Sequence, residues 1–134
     1  MQHVHILPAI VTCLALLVYL WNTIMIPGAR RRTGISAPAT TGNPDFERQF
    51  RVQQNMVEQL IIFIPSLWIF CLTVQVLVGA ALGAIFILGR ILYSVSYAKD
   101  ASKRGPGFGI GMIANLILLI GGLIGAVRLY LMGV

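Results

Sequence analysis

Leu60-Ile61-Ile62-Phe63-Ile64-Pro65-Ser66-Leu67-Trp68-Ile69-Phe70-Cys71-Leu72-Thr73-Val74-Gln75-Val76-Leu77-Val78 is a run of 19 residues without one charge, and past Gly79 a second run, Ala80 to Ala98, carries a single charge at Arg90. Each run is close to the roughly 20 residues that carry a helix across a hydrocarbon core of about 30 Å. Apolarity is continuous, with no alternation of period two, so helices are favoured over barrel strands. Working outward, an earlier apolar run reads from about Ile6 to Ile26 and stops at Pro27-Gly28, and a last one runs from about Ile110 to Met132, with Pro106 starting its helix. The reading is all-α: one integral membrane domain over 1–134, a four-transmembrane-helix bundle with spans at about 6–26, 45–78, 80–104 and 107–132. A tight turn near Gly79 joins the middle pair, which must therefore be antiparallel.

Composition agrees. Of 134 residues, 57% are hydrophobic and 10% charged, whereas a soluble domain is about a quarter charged; disorder would need the opposite balance. The net charge of +6 does not indicate nucleic acid in so apolar a chain, because basic residues at membrane boundaries are an orientation signal. Cys13 and Cys71 sit in apolar runs with no CxxC or Cys/His spacing, so buried free thiols are expected, with no metal or disulfide framework. His3 and His5 read as terminal polar residues rather than a metal pair. The amino terminus lacks the basic region of a signal peptide, so the first run should remain as a span. Gly105-Pro106-Gly107-Phe108-Gly109 follows no strand and is not read as a phosphate loop.

The second helix should begin well before its apolar run, because Pro44-Asp45-Phe46-Glu47 is an acidic helix start. From Asp45 to Val76 it would be roughly 48 Å long, longer than the membrane core, and Pro65 falls within it. Arg30, Arg31, Arg32, Arg48, Arg51, Lys99, Lys103 and Arg104 all flank the first and third loops, while the second loop has no basic residue. The positive-inside rule then puts loops one and three in the cytoplasm and both termini on the opposite side. Arg90 and Arg128 are the exceptions. Gly79/Gly83, Gly107/Gly111 and Gly121/Gly125 have the spacing that lets helices approach closely.

At 100° per residue, Arg48, Arg51, Asn55 and Glu58 fall within an arc of about 80° on helix two. On helix three, Arg90, Tyr93, Tyr97, Asp100 and Arg104 share a similar arc if the helix persists to Arg104. Glu58 and Asp100 are equally far in sequence from the turn, so the two stripes meet at one depth and imply one concave polar site. An intramembrane carboxylate marks a functional site by default, although Arg51 and Asn55 could also satisfy Glu58 as a purely structural network. Tyr93 and Tyr97 could equally be an interfacial aromatic belt. The groups on offer suit a small, anionic or zwitterionic, peptide-like ligand, with a hydrophobic co-substrate arriving from the bilayer.

Ala29-Arg30-Arg31 followed by Thr40-Thr41-Gly42-Asn43-Pro44-Asp45-Phe46-Glu47-Arg48-Gln49-Phe50-Arg51-Val52-Gln53-Gln54-Asn55-Met56-Val57-Glu58, with the spacing of Arg90, Tyr93, Tyr97 and Arg104, resembles the membrane-associated proteins in eicosanoid and glutathione metabolism, on their leukotriene C synthase and microsomal glutathione transferase side. The resemblance implies a homotrimer of four-helix subunits with glutathione, a co-substrate, bound between neighbours near the cytosolic face. Carried over by position, Arg30, Arg51, Gln53, Asn55, Glu58, Tyr93 and Tyr97 would hold glutathione; Arg104 would stabilise its thiolate, and Arg31 would assist on the electrophile side. Gln59 stands where close relatives often have Tyr. The implied activity is transfer of the thiolate to a lipophilic electrophile, with reduction of lipid hydroperoxides as a companion activity. The first alternative is a non-catalytic lipid-binding or scaffold member of the superfamily. The second is a small proton-coupled exporter, for which Glu58 among arginines at one membrane end is poorly placed.

Overall fold

The computed structural model describes residues 5–134; His3 lies outside the described residues. Four helices follow one another: α1 (Ile6–Thr33), α2 (Pro44–Thr73), α3 (Val76–Lys99) and α4 (Gly105–Leu131), with one 3-10 turn at Ala101–Lys103 and no strand among the described residues. All four are long and apolar enough to cross a membrane. α2 and α3 pack on each other, and each packs on both α1 and α4, so α1 and α4 lie on opposite sides of the central pair.

The ends of the helices differ from the sequence expectation in instructive ways. α1 runs through Pro27-Gly28 and stops only at Gly34, whose backbone is left-handed (φ 77°) and whose N–H bonds to the Arg30 carbonyl. A proline inside a spanning helix is tolerated where neighbours compensate, and the true stop is the residue that can adopt positive φ. Arg30, Arg31 and Arg32 occupy the last turn, where cations complement the helix dipole. The α2–α3 turn falls at Val74-Gln75 rather than Gly79, because the Gln75 side chain caps α3 by accepting from Val78 N–H at 2.6 Å. Gly79 is instead a packing glycine: a Cβ there would lie 2.4 Å from Cys71 Sγ. At the start of α2, Asn43 accepts from the N–H groups of Asp45 and Phe46, with Pro44 in the first turn.

α3 does not persist to Arg104. Asp100 is extended (φ −154°, ψ 118°), and its Oδ1 accepts from both the backbone N–H and the hydroxyl of Ser102 at 2.9 and 2.8 Å. Such a side-chain turn competes with helix continuation, so Arg104 becomes the residue that opens α4.

Phe63 and Phe86 stack at 3.9 Å in the middle of the bundle, among Ala15, Leu67, Ala114 and Leu118. Large apolar side chains also cover the outside: Leu77, Leu88, Ile113 and Leu123 are each more than 60% exposed. Apolar surface on that scale is what lipid solvates and water does not. Cys13 is exposed on this surface, against the expectation of two buried thiols, while Cys71 is buried; both are free. His5 stacks on Trp68, with ring centres 6.2 Å apart.

The closest backbone approach sets the site. At Gly107 an added Cβ would lie 2.4 Å from the Tyr93 amide nitrogen and 2.7 Å from its Cα. α3 and α4 therefore touch main chain to main chain beside Tyr93, as small residues permit in membranes. Gly107→Ala has no flexible side chain to displace and is expected to destabilise by about 1–3 kcal/mol, whereas Gly109→Ala, with open space around its Cβ, should not. Thermal unfolding of the two detergent-solubilised variants checks this; equal midpoints would refute the contact.

Candidate functional site

Arg51, Asn55 and Glu58 lie on one side of α2 and are joined by hydrogen bonds. Arg51 Nη1 donates to Glu58 Oε1 at 2.9 Å and Nη2 to Oε2 at 3.3 Å, while Asn55 Nδ2 donates to Oε2 at 3.0 Å. The guanidinium and carboxylate meet face to face, the geometry in which an arginine holds a carboxylate best. Both side chains are nonetheless about half exposed, at 50% and 51%. A charged pair left open on a helix of membrane length is costly in lipid, so this face is built to be covered by something polar.

α3 supplies the second wall. Tyr93 and Tyr97 are buried and stack at 5.4 Å. Arg90, 1% exposed, lays its guanidinium 4.1 Å over the Tyr93 ring, and its Nε and Nη2 have no partner among the described residues. The Arg104 guanidinium sits 5.7 Å from the Tyr97 ring centre, so the residue that left helix three still reaches its stripe from the opening of α4. Between these walls lies a cavity of about 400 Å³ lined by Arg51, Asn55, Tyr93, Arg104, Gly105 and Phe108. Glu58 adjoins it through Arg51 and Asn55, and Tyr97 through the Tyr93 stack. The buried Asn55 Oδ1 has no partner among the described residues, which leaves an acceptor available at the wall.

Chemically, the cavity offers two guanidinium groups for anions, an amide, a phenol and a carboxylate at its edge. It also meets the opening turn of α4, whose N–H groups receive no side-chain cap. A helix start favours negative charge. No group of three or more metal-ligating side chains occurs among the described residues.

Other residues singled out from the sequence lie elsewhere. Gln53 faces α1, donating through Nε2 to Thr23 Oγ1 at 3.2 Å. Arg30 staples the first loop, donating to the Ala39 and Ile35 carbonyls at 2.8 and 3.4 Å, and lies 4.7 Å over the Phe46 ring. Arg31 is exposed on the last turn of α1. Thus Arg30, Arg31 and Gln53 belong to the α1–α2 side, and the cavity to the α2–α3–α4 side. Arg48 pairs with Asp45 and ties α2 to α3 through the Ala98 carbonyl, and Asp100 is spent on its turn. Gln59 is buried against α4, where Asn115 Nδ2 donates to its Oε1 at 3.2 Å; its amide holds the bundle together and does not line the cavity. Gly105 and Phe108 were missed as wall residues, and the signal lay in the Gly105–Gly109 stretch, where one aromatic ring stands among small residues.

Residues 8–124 match the model of the MAPEG family. The chain belongs to this family. Similar proteins include microsomal glutathione S-transferase 2 of Homo sapiens, 39% identical over 116 residues, covering 85% of this chain and 79% of the relative. Leukotriene C4 synthase of Bos taurus is 34% identical over 96 residues, 72% of this chain and 64% of the relative. An uncharacterized protein of Synechocystis is 46% identical over 117 residues, 87% of this chain and 85% of the relative.

The turn that places Arg104 in this MAPEG chain depends on an ionised Asp100, whose carboxyl is held below its usual range by the Ser102 amide and hydroxyl. A carboxylate with a lowered folded value contributes stability in full above its unfolded value, and that contribution is lost as the pH falls through the folded one. Ser102→Ala removes one of the two donors and should move the Asp100 midpoint upward in a carbon-13 carboxyl titration. An unmoved midpoint would show that the hydroxyl bond is idle.

Proposed function

We propose that this chain is a membrane glutathione transferase that joins the glutathione thiolate to lipophilic electrophiles, and that it also reduces lipid hydroperoxides. The observation that carries the reading is the cavity at one end of the bundle, with Arg51, Asn55, Tyr93 and Arg104 in its wall and the half-exposed Arg51–Glu58 pair beside it. Membership of the MAPEG family and the names of the relatives support it. A scaffold that bound lipid alone would gain nothing from charges that must be kept out of hydrocarbon.

Glutathione has two carboxylates and one α-ammonium group. In the reading proposed here, Arg51 takes a carboxylate, Glu58 takes the ammonium, and Asn55 Oδ1 accepts a peptide N–H. Tyr93 and Tyr97 present a flat wall against the peptide. Arg30 and Gln53 cannot join this set within one chain, since Gln53 faces α1 and Arg30, at the end of α1, is turned onto the first loop and Phe46. A neighbouring copy that laid its α1–α2 side against the α2–α4 side would bring them in and also cover the exposed charged pair. A homotrimer closes such a head-to-tail contact into a ring. The basic end of the bundle is placed in the cytoplasm by the positive-inside rule, where a water-soluble tripeptide can enter.

Arg104 and the opening turn of α4 would face the sulfur. An unperturbed thiol has a pKa of about 8.5 and is mostly protonated at neutral pH. Lowering it by two units takes about 2.7 kcal/mol of preference for the thiolate, within reach of a cation and helix start in a partly dry site. The proton leaves to solvent, the thiolate attacks the electrophilic carbon, and a C–S bond forms as the leaving group departs or an epoxide C–O bond opens. Arg31, brought to the cavity from the α1 end of the neighbouring copy together with Arg30, would stabilise the oxygen that takes the negative charge. With a hydroperoxide, the thiolate attacks the terminal oxygen, the O–O bond breaks, and a proton completes the alcohol. A second glutathione then converts the sulfenic acid to disulfide and water.

Calorimetry of glutathione with the detergent-solubilised protein tests the binding site: Arg51→Ala and Glu58→Ala should each weaken affinity by about tenfold or more, consistent with roughly 1.5–3 kcal/mol for a hydrogen bond to a charged group. Wild-type affinity in both would make the stripe a structural network. Arg104→Ala should hold affinity within several-fold yet raise the pKa of the bound thiol, read as loss of thiolate absorbance near neutral pH by ultraviolet difference titration. An unchanged thiolate yield would remove Arg104 from its role.

A further inference from the structure

A second cavity, of about 230 Å³, lies across the bundle from the first, between α1 and α3 and backed by α2. Its wall includes Trp21, Asn22, Arg32, Gln49, Val95 and Lys99. Asn22 is 1% exposed, and its Nδ2 has no hydrogen-bond partner among the described residues. A buried amide donor without an acceptor is uncommon in folded proteins and calls for a partner. None of the four carboxylates of the chain lines this cavity, so its two charges are both positive and uncompensated there.

Depth gives the arrangement meaning. The Gln53–Thr23 bond levels Asn22 with the part of α2 just inside the basic end, and Arg32 stands ten residues later on α1, about 15 Å nearer that end. Long helical side chains lean toward their own N-terminus, and for both α1 and α3 that direction points into the membrane. Arg32 and Lys99, both exposed, therefore reach down over the groove from the headgroup level, while Trp21 and Val95 form an apolar wall lower down. Cations at the mouth, a neutral donor below them and an apolar flank match the order of groups in a diacyl phospholipid: phosphodiester, ester carbonyl, acyl chain.

We propose that the α1–α3 groove binds an anionic phospholipid from the leaflet at the basic end of the bundle. Arg32 and Lys99 take the phosphodiester and its net charge, as basic pockets between membrane helices do. Asn22 Nδ2 donates to a glycerol ester carbonyl, and the acyl chain lies along Trp21 and Val95. The volume suits the glyceryl phosphate part, with the chains continuing over the lipid-facing surface. This site is independent of the glutathione reading, shares no residue with the first cavity and lies on the opposite side of α3.

Native mass spectrometry of the full chain in detergent tests it, with phosphatidylglycerol and phosphatidylcholine of identical acyl chains as probes. Retention of phosphatidylglycerol over phosphatidylcholine is expected, falling roughly fivefold for each cation removed and about 30-fold in R32Q/K99Q. Both positions are exposed, so that variant should fold; N22L should weaken retention separately. Equal retention of the two lipids, or retention unchanged in R32Q/K99Q, overturns the proposal. Displacement of phosphatidylglycerol by millimolar inorganic phosphate would assign the groove to a free anion and overturn the lipid assignment. A changed assembly size for R32Q/K99Q on size-exclusion chromatography would make the groove a contact between copies and overturn it as well.

Discussion

The Arg51–Glu58 pair is the interaction on which the rest of this molecule turns. Two opposite charges bridge two turns of a helix that is otherwise built for lipid, and about half of each remains open. Hydrocarbon offers them neither water nor counter-ion, so the pair has to lie at the membrane boundary and behind a polar cover. Depth follows from the length of α2, which at 30 residues extends about 45 Å and carries its first turns out of the core. The cover is what the proposed neighbouring subunit and the tripeptide would supply together. In their absence Arg51 and Glu58 neutralise each other, so a zwitterion with an anionic and a cationic end can exchange one charge pairing for two without leaving either residue uncompensated.

Close approach of α3 and α4 does the remaining positioning. Because Gly107 lies against the Tyr93 backbone, the first turn of α4 is delivered to the wall that Tyr93 and Tyr97 form. The Asp100–Ser102 turn then sets Arg104 at the opening of that helix. A longer α3 would have carried Arg104 out on a rigid extension. Ending it at Lys99, five residues earlier, adds the unfilled N–H groups of a new helix to the cation, two sources of positive potential at the same edge of the cavity. Arg90 works in a different way: buried beneath Tyr93 with two nitrogens unpaired among the described residues, it stacks its charge under the ring and adds to the positive potential of that wall.

The two cavities divide the bundle between two kinds of chemistry. One side of α2 and α3 meets α4 and gathers the residues proposed to handle a water-soluble thiol. The other meets α1 and pairs two cations with an unsatisfied amide, a pattern suited to the membrane itself. Arg51 and Arg104 line the first cavity and Arg32 and Lys99 the second, so four of the eight basic residues at that end border a cavity.

Much of this was legible in the sequence, because lipid imposes a simple rule: backbone polar groups must be satisfied within each span, so continuous apolar runs of the right length can only be helices. Their number, their antiparallel order, and the polar stripe Arg51-Asn55-Glu58 follow from that rule and from helical period. The ends of the helices did not follow, because capping is decided by single side chains: Gly34 rather than Pro27 stops α1, Gln75 rather than Gly79 makes the α2–α3 turn, and Asp100 ends α3. Nor could periodicity separate Arg30, Arg31 and Gln53 from the cavity, since which side of α2 a neighbour occupies depends on how helices distant in sequence pack. Gln59 shows the same limit: the sequence marked it only as standing where close relatives often have Tyr, and the approach of Asn115 on α4 is what engages it inside the bundle. Local spacing determined which groups share a helix face; tertiary packing alone decided what each face meets, because that depends on contacts between spans that no local pattern encodes.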